Sequence, residues 1–333
     1  MEAKIMKRLD MSRCGNLERH SVCCEYHSNA YPLENNSYEN NFAPSSTCTL
    51  SSTPPEPQSN CCGKEATNSD RIIGGTETNI DEYPWLVLIE YVRKATSEIE
   101  VGCAGSLISG KYVLTAAHCL RGQTIAAHIP VNVRLGEYNI SNIGPDCVKA
   151  PGGGIDCTEN PVVIPIEQTF IHEEYNENDI QGHNDIALIR LMTMAPYTEF
   201  IRPICLPTSE FSEDTTNKKR LFASGWGLTE TLESMSPVKR GVELPYMSFE
   251  ECYKFYSYNN IMLTKQQLCA GGEPGKDSCK GDSGGPLMYL KGDLYEVTGV
   301  VSFGPLICGQ SIPSVYINVY QYLPWIWQHI NNS

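Results

Sequence analysis

Basic charge is scarce. The chain has 25 Lys and Arg against 39 Asp and Glu in 333 residues, a formal charge of −14 at pH 7. A nucleic-acid partner needs a basic surface to neutralise phosphates, so this balance argues against one. Long apolar runs are also missing. Uncharged stretches such as 84–89 and 297–303 are far too short to cross a bilayer as a helix. Residues 1–15 hold no apolar core and no small-residue cleavage site, so no secretory leader is visible. Only 19% of residues are charged and 41% are apolar, which excludes wholesale disorder and leaves enough for a sizeable core.

Cysteine, in contrast, is abundant, at fifteen. No spacing repeats as paired zinc knuckles, and a disulfide framework in an oxidising compartment accounts for the number better. That conflicts with the missing leader. Either the protein is cytosolic, or it is secreted and its true N-terminus lies upstream of Met1. The cysteine count favours the second.

Composition changes near residue 71. The first 71 residues are rich in Ser, Asn and Pro, hold six cysteines and carry a charge of −2, leaving −12 for the rest. Such a segment buries little apolar surface and depends on disulfides for order. Within it, 25–60 has the composition of a polar, partly extended linker. From 72 onward, short Val-, Ile-, Leu- and Tyr-rich stretches recur between Gly and Pro signals, at 85–91, 106–108, 112–115, 131–135, 187–191, 221–225, 297–303 and 314–319. No strand–helix alternation is present, which disfavours a parallel sheet. Apolar residues at 322, 323, 326, 327 and 330 predict a closing amphipathic helix over 320–330. The expectation is an antiparallel all-β domain of barrels with a C-terminal helix.

Amide hydrolysis by a hydroxyl needs a nucleophile, a base, a group that orients the base, and donors for the oxyanion. Ser283 lies in Gly281-Asp282-Ser283-Gly284-Gly285-Pro286, where glycines let backbone N–H groups approach a carbonyl. His118 lies in Thr115-Ala116-Ala117-His118-Cys119, beside a cysteine that can fix its backbone. Asp185 leads into the apolar stretch Ile186-Ala187-Leu188-Ile189 and is costly to bury unless an imidazole pairs with it. A lone histidine is more often structural, which is the assignment for His20, His27, His128, His172, His183 and His329.

Together these segments resemble the chymotrypsin-like (trypsin-type) serine proteases over about residues 72–330. The resemblance implies two packed antiparallel six-stranded β-barrels with the triad in the cleft between them. It makes Ser283 the nucleophile, His118 the general base and then acid, and Asp185 the orienting carboxylate. The N–H groups of Gly281 and Ser283 would form the oxyanion hole. Asp277 would floor the specificity pocket, with Ser302 and Gly304 on its lining, and would select Arg or Lys. Phe303 stands where tryptophan is usual, and Ser314 where glycine is usual, narrowing the pocket near Asp277. Arg71-Ile72-Ile73-Gly74-Gly75 resembles a zymogen activation site: cleavage after Arg71 would free the Ile72 amine to pair with Asp282.

The same resemblance implies the bridges Cys103–Cys119, Cys252–Cys269 and Cys279–Cys308, one between Cys147 and Cys157 around an inserted loop, and Cys62–Cys205 tying prosegment to catalytic chain. Cys14, Cys23 and Cys24 resemble the end of an arthropod clip domain. Two schemes stay open: a truncated clip over 1–24 with Cys48–Cys61 as an extra bridge, or an irregular clip from Cys14 to Cys62 that leaves Cys205 unpaired. The domains are then a partial clip at 1–24, a linker and activation segment at 25–71, and a protease domain at 72–333. The implied protein is a secreted zymogen, similar to prophenoloxidase-activating and Toll-cascade proteases. Its partners would be protein substrates cut after Arg or Lys, an upstream trypsin-like activator and serpin inhibitors. The rivals are a non-catalytic clip homologue and a digestive trypsin. No cofactor is required. Glu137 is a weak calcium candidate, a solvated loop carboxylate being the plainer reading. Asn35, Asn139 and Asn331 begin N-x-S sequons, so a glycoprotein is expected if the chain is secreted.

Overall fold

The computed structural model describes residues 48–66, 76–150, 153–211, 220–228, 235–276, 278–279, 281–305 and 309–332. The expected clip remnant, Arg71, Ile72, Asp277, Cys308, Asn35 and three cysteines at 14, 23 and 24 lie outside the described residues. Within them the order is β1 (Thr76–Glu77), β2 (Leu86–Arg93), β3 (Ile99–Leu107), β4 (Tyr112–Thr115), α1 (Gln123–Ala127) and β5 (His128–Leu135). A hairpin of β6 (Cys147–Lys149) and β7 (Ile155–Cys157) precedes β8 (Val162–Ile171) and β9 (Ala187–Leu191). Then come β10 (Arg220–Gly225), β11 (Arg240–Met247), α2 (Phe249–Ser257), β12 (Gln267–Gly271), β13 (Pro286–Lys291), β14 (Leu294–Phe303), β15 (Pro313–Asn318) and α3 (Leu323–Asn331).

The strands close into two antiparallel barrels of six. The first runs β2-β3-β4-β9-β8-β5. The second runs β11-β10-β13-β14-β15-β12, shut by the β11–β12 pairing, with β1 added on β11. Among the described residues, closure leaves no long barrel edge open to another chain. β15 is buried at all six positions and β2 at its first six, so both faces of each are covered. Where the barrels meet, Trp85 donates Nε1–H to the Met288 sulfur at 3.0 Å and packs 5.3 Å from the Tyr295 ring. Each such buried side chain contributes about 1.5–3 kcal/mol relative to exposure. α3 inserts Ile326 and Ile330 into this same core. The expected helix starts later than its spacing implies: 319–322 forms a 3-10 turn, and Pro324 in the first turn sets the α-helical start.

Residues 48–66 do not trail as a free linker. Ser51 and Ser52 carbonyls accept from Gly110 N–H and the Ser109 hydroxyl, each at 2.9 Å. Gly63 N–H donates to the Pro203 carbonyl at 2.9 Å, and its own carbonyl accepts from Tyr295 N–H at 2.8 Å. A Cβ at Gly63 would lie 2.3 Å from the Tyr295 oxygen, so this approach admits only glycine. Cys48 pairs with Cys61 and Cys62 with Cys205. These pairings overturn the alternative in which Cys61-Cys62 closes an irregular clip and Cys205 stays unpaired. Cys103–Cys119, Cys147–Cys157 and Cys252–Cys269 are formed as expected, and Cys279 is disulfide-bonded.

One consequence is testable on a gel. After cleavage between 66 and 76, the two chains should migrate together without reductant and separate with it. Separation of the cut wild-type chains without reductant would remove the Cys62–Cys205 link.

Candidate active site

His118 sits on a 3-10 turn, Ala117–Cys119, directly after β4. Cys119 bridges this turn to Cys103 in β3, so its backbone has two anchors. Asp185 enters from the loop before β9, with only 4% of its side chain exposed. Its Oδ2 lies 2.7 Å from His118 Nδ1, and its Oδ1 accepts His118 N–H at 2.8 Å. The Ser302 hydroxyl, from β14 of the other barrel, donates to Oδ2 at 2.6 Å. The carboxylate is thus buried with its charge answered by three donors.

Electrostatics follow from this arrangement. Burial opposes ionisation of Asp185, but the His118 imidazole, the Ser302 hydroxyl and the His118 N–H outweigh it and lower its pKa. Burial likewise opposes a charged His118, and the Asp185 carboxylate more than offsets it, raising the imidazole above its ordinary 6.5. Asp185 fixes the proton on Nδ1 and leaves Nε2 as the acceptor.

Ser283 is brought to this histidine by its loop. Its carbonyl accepts from Ala104 N–H at 2.8 Å, tying the loop to β3 of the first barrel. Gly284 N–H donates to the Val301 carbonyl and Val301 N–H to the Gly285 carbonyl, each at 2.9 Å, tying it to β14. Gly284 has φ +79°, and a Cβ there would meet Thr115 Oγ1 at 2.2 Å and the Ala104 oxygen at 2.5 Å. The loop therefore lies flat against the strand that delivers His118. Cys119 Sγ stands 3.8 Å from His118 Nε2 and 3.7 Å from the Ser283 carbonyl oxygen, which brings the Ser283 backbone close to the His118 ring. Among the described residues, the N–H groups of Gly281 and Ser283 meet no acceptor. They remain available to an oxyanion.

The neighbouring residues are also placed. Asp282 accepts from Gly227 N–H and Cys279 N–H, each at 2.8 Å, and fills the space that side chains at 225 and 227 would take. Gly304 and Ser314 face each other: a Cβ at Gly304 would lie 2.4 Å from Ser314 Oγ. Ser302, expected on the pocket lining behind the triad, donates its hydroxyl to Asp185. Glu137 is buried against Arg134, whose Nη1 lies 3.1 Å away, and accepts Tyr138 N–H at 2.9 Å. It is therefore not the solvated loop carboxylate expected, and it shares the Arg134 guanidinium with Glu90, whose Oε1 accepts from Nε at 2.7 Å. The sulfurs beside His118 belong to a disulfide and offer no thiolate to a metal. Sequence reasoning missed Ala104, which no local motif marks, and gave no role to Thr115, although it opens the segment that carries His118.

Residues 72–326 match the protein family described as Trypsin. The chain is 48% identical over 286 residues to the phenoloxidase-activating enzyme of Bombyx mori, covering 83% of this chain and 64% of that protein. It is 42% identical over 275 residues to the CLIP domain-containing serine protease HP8 of Bombyx mori, covering 81% and 72%. It thus spans less than two thirds of the length of the first of these relatives. The crystal structure of the Drosophila Grass clip serine protease of the Toll pathway matches with a TM-score of 0.66 at 34% identity, covering 81% of this chain and 74% of that one.

The His118–Asp185 pair predicts a titration. A folded imidazole with a raised pKa stabilises the fold fully below its unfolded value, ordinarily 6.5, and loses that contribution as pH rises through the folded value. In Asp185→Asn the midpoint of the His118 imidazole, followed by NMR, should move to lower pH. An unchanged or higher midpoint would show that Asp185 does not hold the proton.

Proposed function

This chain belongs to the trypsin family of serine proteases, and from that premise we propose that it is a secreted zymogen which, once cut after Arg71, cleaves protein substrates after Arg or Lys. The observation that carries the proposal is the buried Asp185 carboxylate, bonded at once to His118 Nδ1, His118 N–H and the Ser302 hydroxyl. Ser283 Oγ attacks the scissile carbonyl carbon while its proton passes to His118 Nε2. The oxyanion is received by the N–H groups of Gly281 and Ser283. His118 then returns the proton to the leaving amine, and water repeats the sequence to free the acyl group. Asp185 stays ionised throughout and stabilises the imidazolium.

Activation follows from charge. The new Ile72 amine would be a cation seeking an anion, and the half-buried Asp282 is one residue from the nucleophile. Its pairing would hold the Gly281–Ser283 loop ready for the oxyanion. The relatives include a phenoloxidase-activating enzyme and a Toll-pathway protease, which supports a place in an extracellular immune cascade. A trypsin-like activator upstream and serpin inhibitors belong to the same reading.

Two measurements test it. A fluorophosphonate should label Ser283 in the wild-type chain after cleavage with a trypsin-like enzyme, and Arg71→Gln should remain unlabelled under the same treatment. Full labelling of the uncut Arg71→Gln chain would sink the zymogen, and no labelling of the cut wild type would point to a non-catalytic homologue.

The pocket makes a separate prediction. Asp277→Ser should abolish the preference for basic residues, since an unanswered buried charge is worth about 3–5 kcal/mol. Ser314→Gly should lower KM for arginyl substrates by widening the contact with Gly304. Cleavage of a peptide library after Phe, Leu or Ala would contradict the role given to Asp277.

A further inference from the structure

Asp185 reaches His118 only because of the residue before it. Asn184 has φ +56°, in the left-handed region that most side chains avoid and Asn tolerates better than most. Its carbonyl accepts Ile186 N–H at 2.8 Å, closing a tight turn with Asp185 at the centre. That turn is the last irregular step before β9, and the bonds already described act on the Asp185 side chain rather than on this backbone.

A second restraint comes from the far end of the chain. Tyr322, 3% exposed at the end of the 3-10 turn that leads into α3, points its hydroxyl at Asn184 Oδ1 at 2.8 Å. Burial pushes the Tyr322 phenol well up, with the Asp185 charge adding to it, so the hydroxyl keeps its proton and donates. The ring is itself fixed. It stands edge-on to His172 at 5.3 Å, and His172 packs at the same distance from Trp325 one turn along α3. His172 N–H donates to the Ile186 carbonyl at 3.1 Å. The loop carrying Asp185 is therefore gripped on both sides: at Ile186 by the end of β8, and at Asn184 by α3.

We propose that Tyr322 is a positioning residue for the catalytic triad, its phenolic hydroxyl holding Asn184 in the left-handed conformation that turns the Asp185 carboxylate onto His118. Tyr322 touches neither substrate nor reacting atoms. The C-terminal helix becomes part of the machinery that orients the base, which gives the aromatic contacts around His172 a function beyond packing. The proposal rests on the serine-protease reading above.

The test uses the full chain cut after Arg71. Tyr322→Phe removes one hydroxyl and keeps the ring against His172. It should lower kcat about 30-fold, or about 2 kcal/mol in the barrier, with KM within about twofold. The acid limb of kcat/KM should also shift to lower pH, because an Asp185 that is less well aimed raises the His118 pKa less. A merely structural tyrosine would lower the melting temperature and leave that limb in place. Asn184→Gly, which keeps access to positive φ, should lose less activity than Asn184→Ala. In the Asn184→Gly background, Tyr322→Phe should have no further effect. Wild-type kcat and acid limb in Tyr322→Phe would overturn the proposal, as would equal losses in Asn184→Gly and Asn184→Ala or independent, additive losses from the two sites. A wild-type chain without amidase activity would instead defeat the enzymatic reading. The positioning claim would then still be decided by the NMR titration of His118 in wild type and Tyr322→Phe.

Discussion

Burying a carboxylate costs several kcal/mol unless its charge is met, and the donors that meet it must arrive together. Asp185 imposes this requirement on the whole domain. Two of its donors, the His118 ring and N–H, come from the turn after β4 of the first barrel, and the third, the Ser302 hydroxyl, comes from β14 of the second. If the barrels slid apart, Ser302 would leave and the desolvated charge would lose one of its supports. The loop of Ser283 is fixed across the same seam, by Ala104 on one side and Val301 on the other. The contact that makes the site is thus also a contact that registers one barrel on the other.

Most of the covalent links lie inside the packed core. The Cys103–Cys119 bridge secures a turn of only three residues, and Cys252–Cys269 joins α2 to β12. Cys62–Cys205 closes 143 residues of sequence, the kind of long loop whose closure removes most from the unfolded ensemble. Beside it, hydrogen bonds at Ser51, Ser52 and Gly63 lay 48–66 along the catalytic domain. Residues 48–66 are thus held to the domain by contacts of their own, so the proposed cleavage after Arg71 would leave them docked.

What could be read from the sequence follows from how local its cause is. β4 and β9 coincide with the expected 112–115 and 187–191, because short buried runs of Val, Leu and Ile bounded by turn signals have few other ways to fold. β8 gave no such signal: Pro165, Glu167 and Gln168 interrupt it, and much of it is exposed on one side. α2 was also missed, although Ser248 caps it by accepting Glu251 N–H at 3.2 Å and the Ser-x-x-Glu spacing could have marked it. The triad was legible because each member sits in its own distinctive segment. Its supports were not. Ser302 lies 117 positions from Asp185, and Tyr322 lies 138 from Asn184. Nothing in either segment announces the other, and only the closed barrels bring them together.

The acidic balance that argued against nucleic acid has a second meaning beside the proposed specificity. A net charge of −14 draws basic segments toward the molecule as a whole. That attraction fades beyond about 8 Å at physiological ionic strength and does not distinguish one lysine-rich chain from another. Discrimination needs a charge that salt and water cannot reach, which means a single carboxylate at the end of a narrow slot. The close contact of Ser314 with Gly304 bears on this directly. Under the proposed specificity, a slot narrowed by Ser314 makes entry harder for a guanidinium or ammonium on its methylene stem and harder still for any bulkier group. Steering by the surface and selection by the pocket therefore have different salt dependences. An exposed field should govern how often a basic segment arrives, and the slot which bond is cut.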